Sequence, residues 1–185
     1  MIFGFVVLIV IVVAVAWVLG MYNGLVGARN EVKNSWSQID VQLKRRHDLI
    51  PNLVETVKGY MGHERGTLEA VTKARQQAVD VTGGVEDRAK AENALSQTLR
   101  SLFAVAEAYP DLKANQNFLA LQEELTSTEN KISFARQYYN DAVLRLNNRI
   151  QMFPSSVIAG MFNFSQEKFF EVEAAAERQV PQVKF

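Results

Sequence analysis

The chain has 185 residues, with 20 Lys and Arg balanced by 20 Asp and Glu, two histidines and no cysteine. That length holds one domain of ordinary size beside an apolar N-terminal segment. The missing cysteine excludes disulfides, thiolate metal sites and thiol catalysis, while zero net charge with interleaved signs argues against nucleic-acid binding driven by counterion release.

The first segment, MIFGFVVLIVIVVAVAWVLGMY, carries no charged side chain. From Ile2 to Leu19 it reaches about 27 Å as a helix, enough to span a bilayer. A cleaved signal peptide is the rival reading, since Ala14 to Trp17 offers a small-x-small site. The segment has no basic leader, carries Val to its end, and places Trp17 and Tyr22 where an interfacial aromatic belt belongs, which favours an anchor. Residues 1–20 are therefore assigned as a transmembrane anchor, meeting the bilayer through residues 2–19. Arg29, Lys33 and the run Lys44, Arg45, Arg46 all follow it, so the positive-inside tendency puts a short N-terminus outside and the bulk of the chain in the cytoplasm. GMYNG, Gly20 to Gly24, matches a small-xxx-small pattern at the membrane edge and hints at self-association.

Beyond the anchor, Val32, Trp36, Ile39, Leu43, Ile50, Leu53, Val57 and Tyr60 repeat at threes and fours, a heptad seam. Arg46 occupies one slot of that seam, and the phase resumes after Pro51. A proline that leaves the phase intact predicts one long helix, about residues 22–61, kinked at Pro51. A second helix over HERGTLEAVTKARQQAV turns Leu68, Val71, Ala78 and Val79 inward, with Arg75 in the same stripe, and Thr82 to Gly84 breaks it. The third, from Val85 to Tyr109, aligns Ala89, Leu95, Leu99, Leu102 and Ala106, with Glu92 interrupting that face and Pro110 after its end. The fourth, about residues 112–153, has a seam running from Phe118 through Leu121, Leu125, Thr128, Ile132, Ala135, Tyr139, Ala142 and Leu146 to Ile150. No segment has the period of a strand. The expected fold is all-α: the anchor, then an antiparallel up-down four-helix bundle over residues 21–153 with long first and last helices, then an apolar loop and tail over residues 154–185.

Arg46, Arg75 and Glu92 are charges in apolar stripes of three different helices. A charge left alone in a core costs several kcal/mol, so inward-facing members should meet, with Asn140 or Thr128 as hydrogen-bonding neighbours. The plainer reading, that a helix rotates slightly and an arginine reaches water, is favoured for Arg75, and the buried network for Arg46. Asp40 with Lys44, and Lys44 with Asp48, are ordinary surface pairs at i, i+4. Arg136, Asn140 and Asn147 form a polar line on the last helix. Paired iron in a bundle needs two Glu-x-x-His motifs, and Lys44 and Tyr60 stand where His47 and His63 would require glutamate. No zinc, phosphate-loop or nucleophile-elbow motif occurs, so no cofactor, no metal and no enzymatic activity are expected. The loop FPSSVIAGMFNF is expected to hold a short helical turn near Val157 to Met161, capped by Ser155 or Ser156. Its Phe153, Val157, Met161 and Phe164 either present an interaction surface or close the end of the bundle.

NSWSQIDVQLKRRHDLIPNLVETVKGY, Asn34 to Tyr60, closely resembles the LemA family of bacterial membrane-anchored helical proteins. ARQYYNDAVLRLNNRI, Ala135 to Ile150, and FPSSVIAGMFNF agree with it, and the resemblance covers nearly the whole chain. Where the family pattern has Gly before the final Phe of that loop, this sequence has Asn163. The resemblance implies a single-pass protein of the bacterial inner membrane with a cytoplasmic helical bundle. Relatives among magnetosome-membrane proteins imply a role in membrane organisation, and no catalytic residues come with the family. Two readings of function follow: a non-enzymatic scaffold that self-associates to organise a membrane patch or protein assembly, or a monomeric adaptor for a membrane enzyme such as a protease.

Overall fold

A computed structural model describes residues 2–170 of the chain. The remainder of the expected C-terminal tail, residues 171–185, lies outside the described residues. The chain is all-α: α1 (Ile2–Lys58), α2 (Arg65–Asp80), α3 (Val85–Ala106), α4 (Pro110–Lys113), α5 (Gln116–Gln151) and α6 (Ser155–Met161), with no strand among the described residues.

The apolar segment and the first amphipathic helix are one unbroken α1, where the sequence suggested two elements meeting near Gly20. Glycines in a helix cost about 1 kcal/mol each relative to alanine. Gly20, Gly24 and Gly27 are therefore too weak, singly spaced among good helix formers, to end it. Lys58 in the last turn suits the negative helix end, and Gly59 follows it. Because α1 stops there, Tyr60 lies outside the seam and is exposed, and Met61 takes the inward place. Val79 is likewise exposed rather than inward, and Ala74 is buried in its stead. The expected fourth helix divides in two. Pro110 occupies the first turn of α4, where its missing N–H costs nothing. Asn115 then caps α5, its Oδ1 accepting from the Phe118 amide at 3.0 Å.

Contacts group the chain into two compact units, residues 2–40 with 134–169 and residues 41–133 with 170. In the second, Leu53 and Val57 of α1, Val71 of α2, Leu95 and Leu102 of α3, Leu112 of α4 and Phe118 of α5 share one fully buried core. Each such aliphatic or aromatic side chain contributes about 1.5–3 kcal/mol by leaving water. The first unit packs α6 onto the start of α1's amphipathic half. Leu25, Ile158 and Ala159 are buried there, with Val18, Met21, Tyr22, Ile150 and Phe164 around them. Trp36 meets Tyr139 edge-on, with centroids 5.3 Å apart. Glu31 accepts from both Tyr138 and Arg145, at 3.1 and 2.7 Å.

Asn163 explains how the chain leaves α6. Its φ is +54°, the left-handed region that glycine enters freely and that asparagine tolerates better than other L residues. The turn forms without the glycine of the family pattern. It sends residues 164–169 back along α5. Asn147 holds Glu167 there by both of its backbone groups at 2.9 Å, and the Tyr139 hydroxyl donates to the Lys168 carbonyl at 2.9 Å. Burial and the Glu167 carboxylate push that phenol up to about 12.

Candidate functional site

The densest polar constellation lies in the second unit around the charge that interrupts the first seam. Heptad spacing carries Arg46 inward between Leu43 and Ile50, and its exposure is 0%. Glu92, on the buried stripe of α3, is 1% exposed, and its carboxylate pairs with Arg46 Nη2. Arg46 Nη1 donates to Glu129 of α5 at 2.5 Å and to Ser96 at 2.8 Å, and the Ser96 hydroxyl donates to the other Glu129 oxygen at 3.0 Å. His47 Nε2 stands 3.0 Å from Glu92 Oε1. One arginine thus ties α1, α3 and α5 together through two carboxylates.

Burial by itself would raise the Glu92 carboxyl. The His47 ring beside it and the Arg46 charge outweigh burial and hold the group below the ordinary glutamate value of 4.5. A carboxyl kept ionised and paired on both oxygens has no proton to lend near neutrality, so the geometry suits structure better than acid catalysis. Its depressed value fixes the sign of the pH dependence. The unfolded chain binds the proton first, so the stabilisation is fully present above about 4.5 and is lost as pH falls through the lower folded value. Melting temperatures of the parent and Glu92→Gln, followed from pH 7 to pH 3, should start apart and converge in acid. Parallel curves would remove Glu92 from the acid limb.

Arg75 has a different office from the one its stripe suggested. Pro51 has no N–H, so the carbonyl four residues earlier in α1, that of His47, loses its helical donor. Arg75 Nε fills the vacancy at 2.7 Å from His47 O. The half-buried Arg75 therefore does not simply reach water, and it lets α1 continue through Pro51 without an orphaned carbonyl. Asn140 belongs to the first unit, and Thr128 Oγ1 donates to the Glu124 carbonyl of its own helix at 2.8 Å. Nothing in the sequence singles out Ser96 or Glu129, and His47 stands out there only as a rejected iron ligand. A cleft of about 260 Å³ opens beside Arg46, Ser96 and Glu129, with Leu99, Phe103 and Leu125 forming its apolar wall. Among the described residues no group of three or more His, Asp or Glu is placed to hold a metal.

The apolar loop is the second candidate. Phe153, Val157 and Met161 are 81%, 53% and 69% exposed, whereas Phe164 is half-buried against Tyr22, 6.0 Å between centroids, with the Arg29 guanidinium 5.0 Å over its ring. Neither Ser155 nor Ser156 caps α6. Ser155 instead donates back to the carbonyls of Arg149 and Met152, satisfying the end of α5. Gly24, half of the small-residue pattern, is engaged within the chain: its carbonyl accepts from Arg149 Nη1 at 2.5 Å, and a Cβ there would lie 3.0 Å from that atom.

The model of the LemA family matches residues 35–185, which include the arginine cluster and the α6 loop. The chain belongs to the LemA family. Among relatives, this LemA-family chain is 28% identical over 156 residues to protein LemA of Metamycoplasma hominis, covering 82% of this chain and 69% of that one. It is 22% identical over 195 residues to magnetosome protein MamQ 2 of Paramagnetospirillum magneticum, with 92% and 72% covered. To magnetosome protein MamQ of Magnetospirillum gryphiswaldense it is 20% identical over 189 residues, with 88% and 70% covered. Together with an apolar helix long enough to cross a membrane, these likenesses point to a membrane-associated protein.

Proposed function

We propose that this chain is a single-pass, membrane-anchored scaffold without enzymatic activity, which self-associates to organise a membrane patch or protein assembly. The supporting observation is α1 itself. Its apolar residues 2–17 are exposed along their whole length, and the same helix continues without a linker into residues that pack against α5 and α6. An apolar helix bare on all sides requires lipid or a partner. On this reading the N-terminus lies outside the bacterial inner membrane and the rest in the cytoplasm, where α1, α2, α3 and α5 form the antiparallel up-down four-helix bundle. The magnetosome names of the MamQ relatives support a place at a membrane.

A second reading, a monomeric adaptor that presents the α6 loop to a membrane enzyme such as a protease, is favoured by the exposure of Phe153, Val157 and Met161. The absolute mass by light scattering separates the two. It should be measured on the full chain in detergent and on a chain beginning at Gly20, which keeps Met21, Tyr22 and Leu25 for α6. A discrete full-length assembly supports the scaffold, and its loss on truncation assigns the contact to the anchor. Monomers in both transfer the case to the adaptor.

A further inference from the structure

The exposed side of α6 is too apolar, and too close to the end of the span, to be ordinary surface. No charged residue occurs between Arg149 and Glu167. Within that stretch Ile158 and Ala159 turn inward onto Leu25, while Val157 and Met161, one turn apart on the opposite side of α6, face outward with Phe153 and Phe162. The partners of α6 on α1 run from Val18 to Leu25. At 1.5 Å per residue they extend to about 9 Å beyond Leu19, the last apolar residue of the span. Their midpoint, about 4 Å beyond Leu19, falls in the headgroup layer, which is about 5–7 Å deep on each side of a bilayer with about 30 Å of hydrocarbon and about 40–45 Å in all. The flanks agree. Tyr22 packs on Phe162 at 4.7 Å, and the exposed Arg29 and Arg149 stand at the rim, where anionic headgroups would meet them.

We propose that α6 and its flanking phenylalanines form a second membrane contact, an apolar foot whose Phe153, Val157, Met161 and Phe162 enter the interface of the leaflet that α1 leaves. The inference rests on the membrane-anchored reading above and deepens it. The span and the foot, fixed to each other by Leu25, Ile158 and Phe164, form one two-point footing in which the foot limits the tilt of α1. Acyl-chain and headgroup contact suits such a surface: scattered aromatics and aliphatics insert a short way, and the neighbouring arginines remain at phosphate level.

The chain lacks cysteine, so single cysteines report cleanly. Full-length Val157→Cys and Met161→Cys, labelled with an environment-sensitive fluorophore, would be reconstituted into phosphatidylcholine and phosphatidylglycerol vesicles. Val12→Cys in the span and the exposed Val79→Cys on α2 serve as references. The expected result is loss of fluorescence at 157 and 161 with spin-labelled lipid, as at 12, and resistance to aqueous iodide, which quenches at 79. Iodide quenching at 157 and 161 while 12 remains lipid-quenched would overturn the foot and leave the anchor standing. Iodide quenching at 12 as well would overturn both. Protection from both quenchers at 157 and 161 would assign the patch to protein, a second copy or a partner, and would equally overturn the lipid contact.

Discussion

Arg46→Leu should destabilise the protein by about 3–5 kcal/mol, the usual consequence of removing one partner of a buried ion pair. The leucine fits the seam, so the loss does not come from packing. It comes from Glu92, which is 1% exposed and would keep only His47 against its charge, and from Glu129 and Ser96, which lose their shared donor. The pair itself adds far less than that, because desolvating both ions offsets most of their attraction. Arg46→Leu combined with Glu92→Leu should therefore regain much of the single variant's loss. Urea midpoints of the parent, both singles and the double, followed by circular dichroism in one detergent, give the comparison. An unchanged midpoint for Arg46→Leu would end the case for a specifying network.

The second large effect concerns a backbone carbonyl. Arg75→Met keeps the length of the side chain but leaves His47 O without its donor, and an unsatisfied buried acceptor costs about 1–3 kcal/mol. Pro51→Ala supplies the missing N–H from within α1. In the Pro51→Ala background the same Arg75→Met change should therefore cost little, and the cycle should return a coupling of about 1 kcal/mol or more. Additive losses would show that Arg75 acts by its charge or packing instead.

The sequence makes some of this cluster visible. Arg46 and Glu92 stand out because each interrupts a long apolar stripe, and long stripes predict burial well: every seam position of α5 from Phe118 to Ile150 is buried or half-buried. Glu129 and Ser96 are invisible by the same test. They lie one position off their stripes, where a polar residue is unremarkable, and only the reach of the guanidinium recruits them. The role of Arg75 is hidden for another reason. Pro51 announces that a carbonyl is freed, but nothing in one dimension says which distant donor arrives. In α6 the limit is length. Seven residues are too few for periodicity to separate the inward Ile158 from the outward Val157, and Phe153 and Phe164 look alike until the chain turns at Asn163.

The return of residues 164–169 along α5 gives the first unit a mechanical order. Tension applied at Lys168 meets the Tyr139 bond to that residue first, then the paired amide of Asn147 on Glu167, and only then the Phe164 ring beneath Arg29. These attachments are loaded one after another, as in peeling tape, so the force at each step is that of a single fastening rather than of all three together. The shear-loaded helices α1 and α5 share their load along their length, whereas this strip yields serially from Lys168 toward Phe164. Tension at Lys168 therefore spends itself on the strip before it reaches α6.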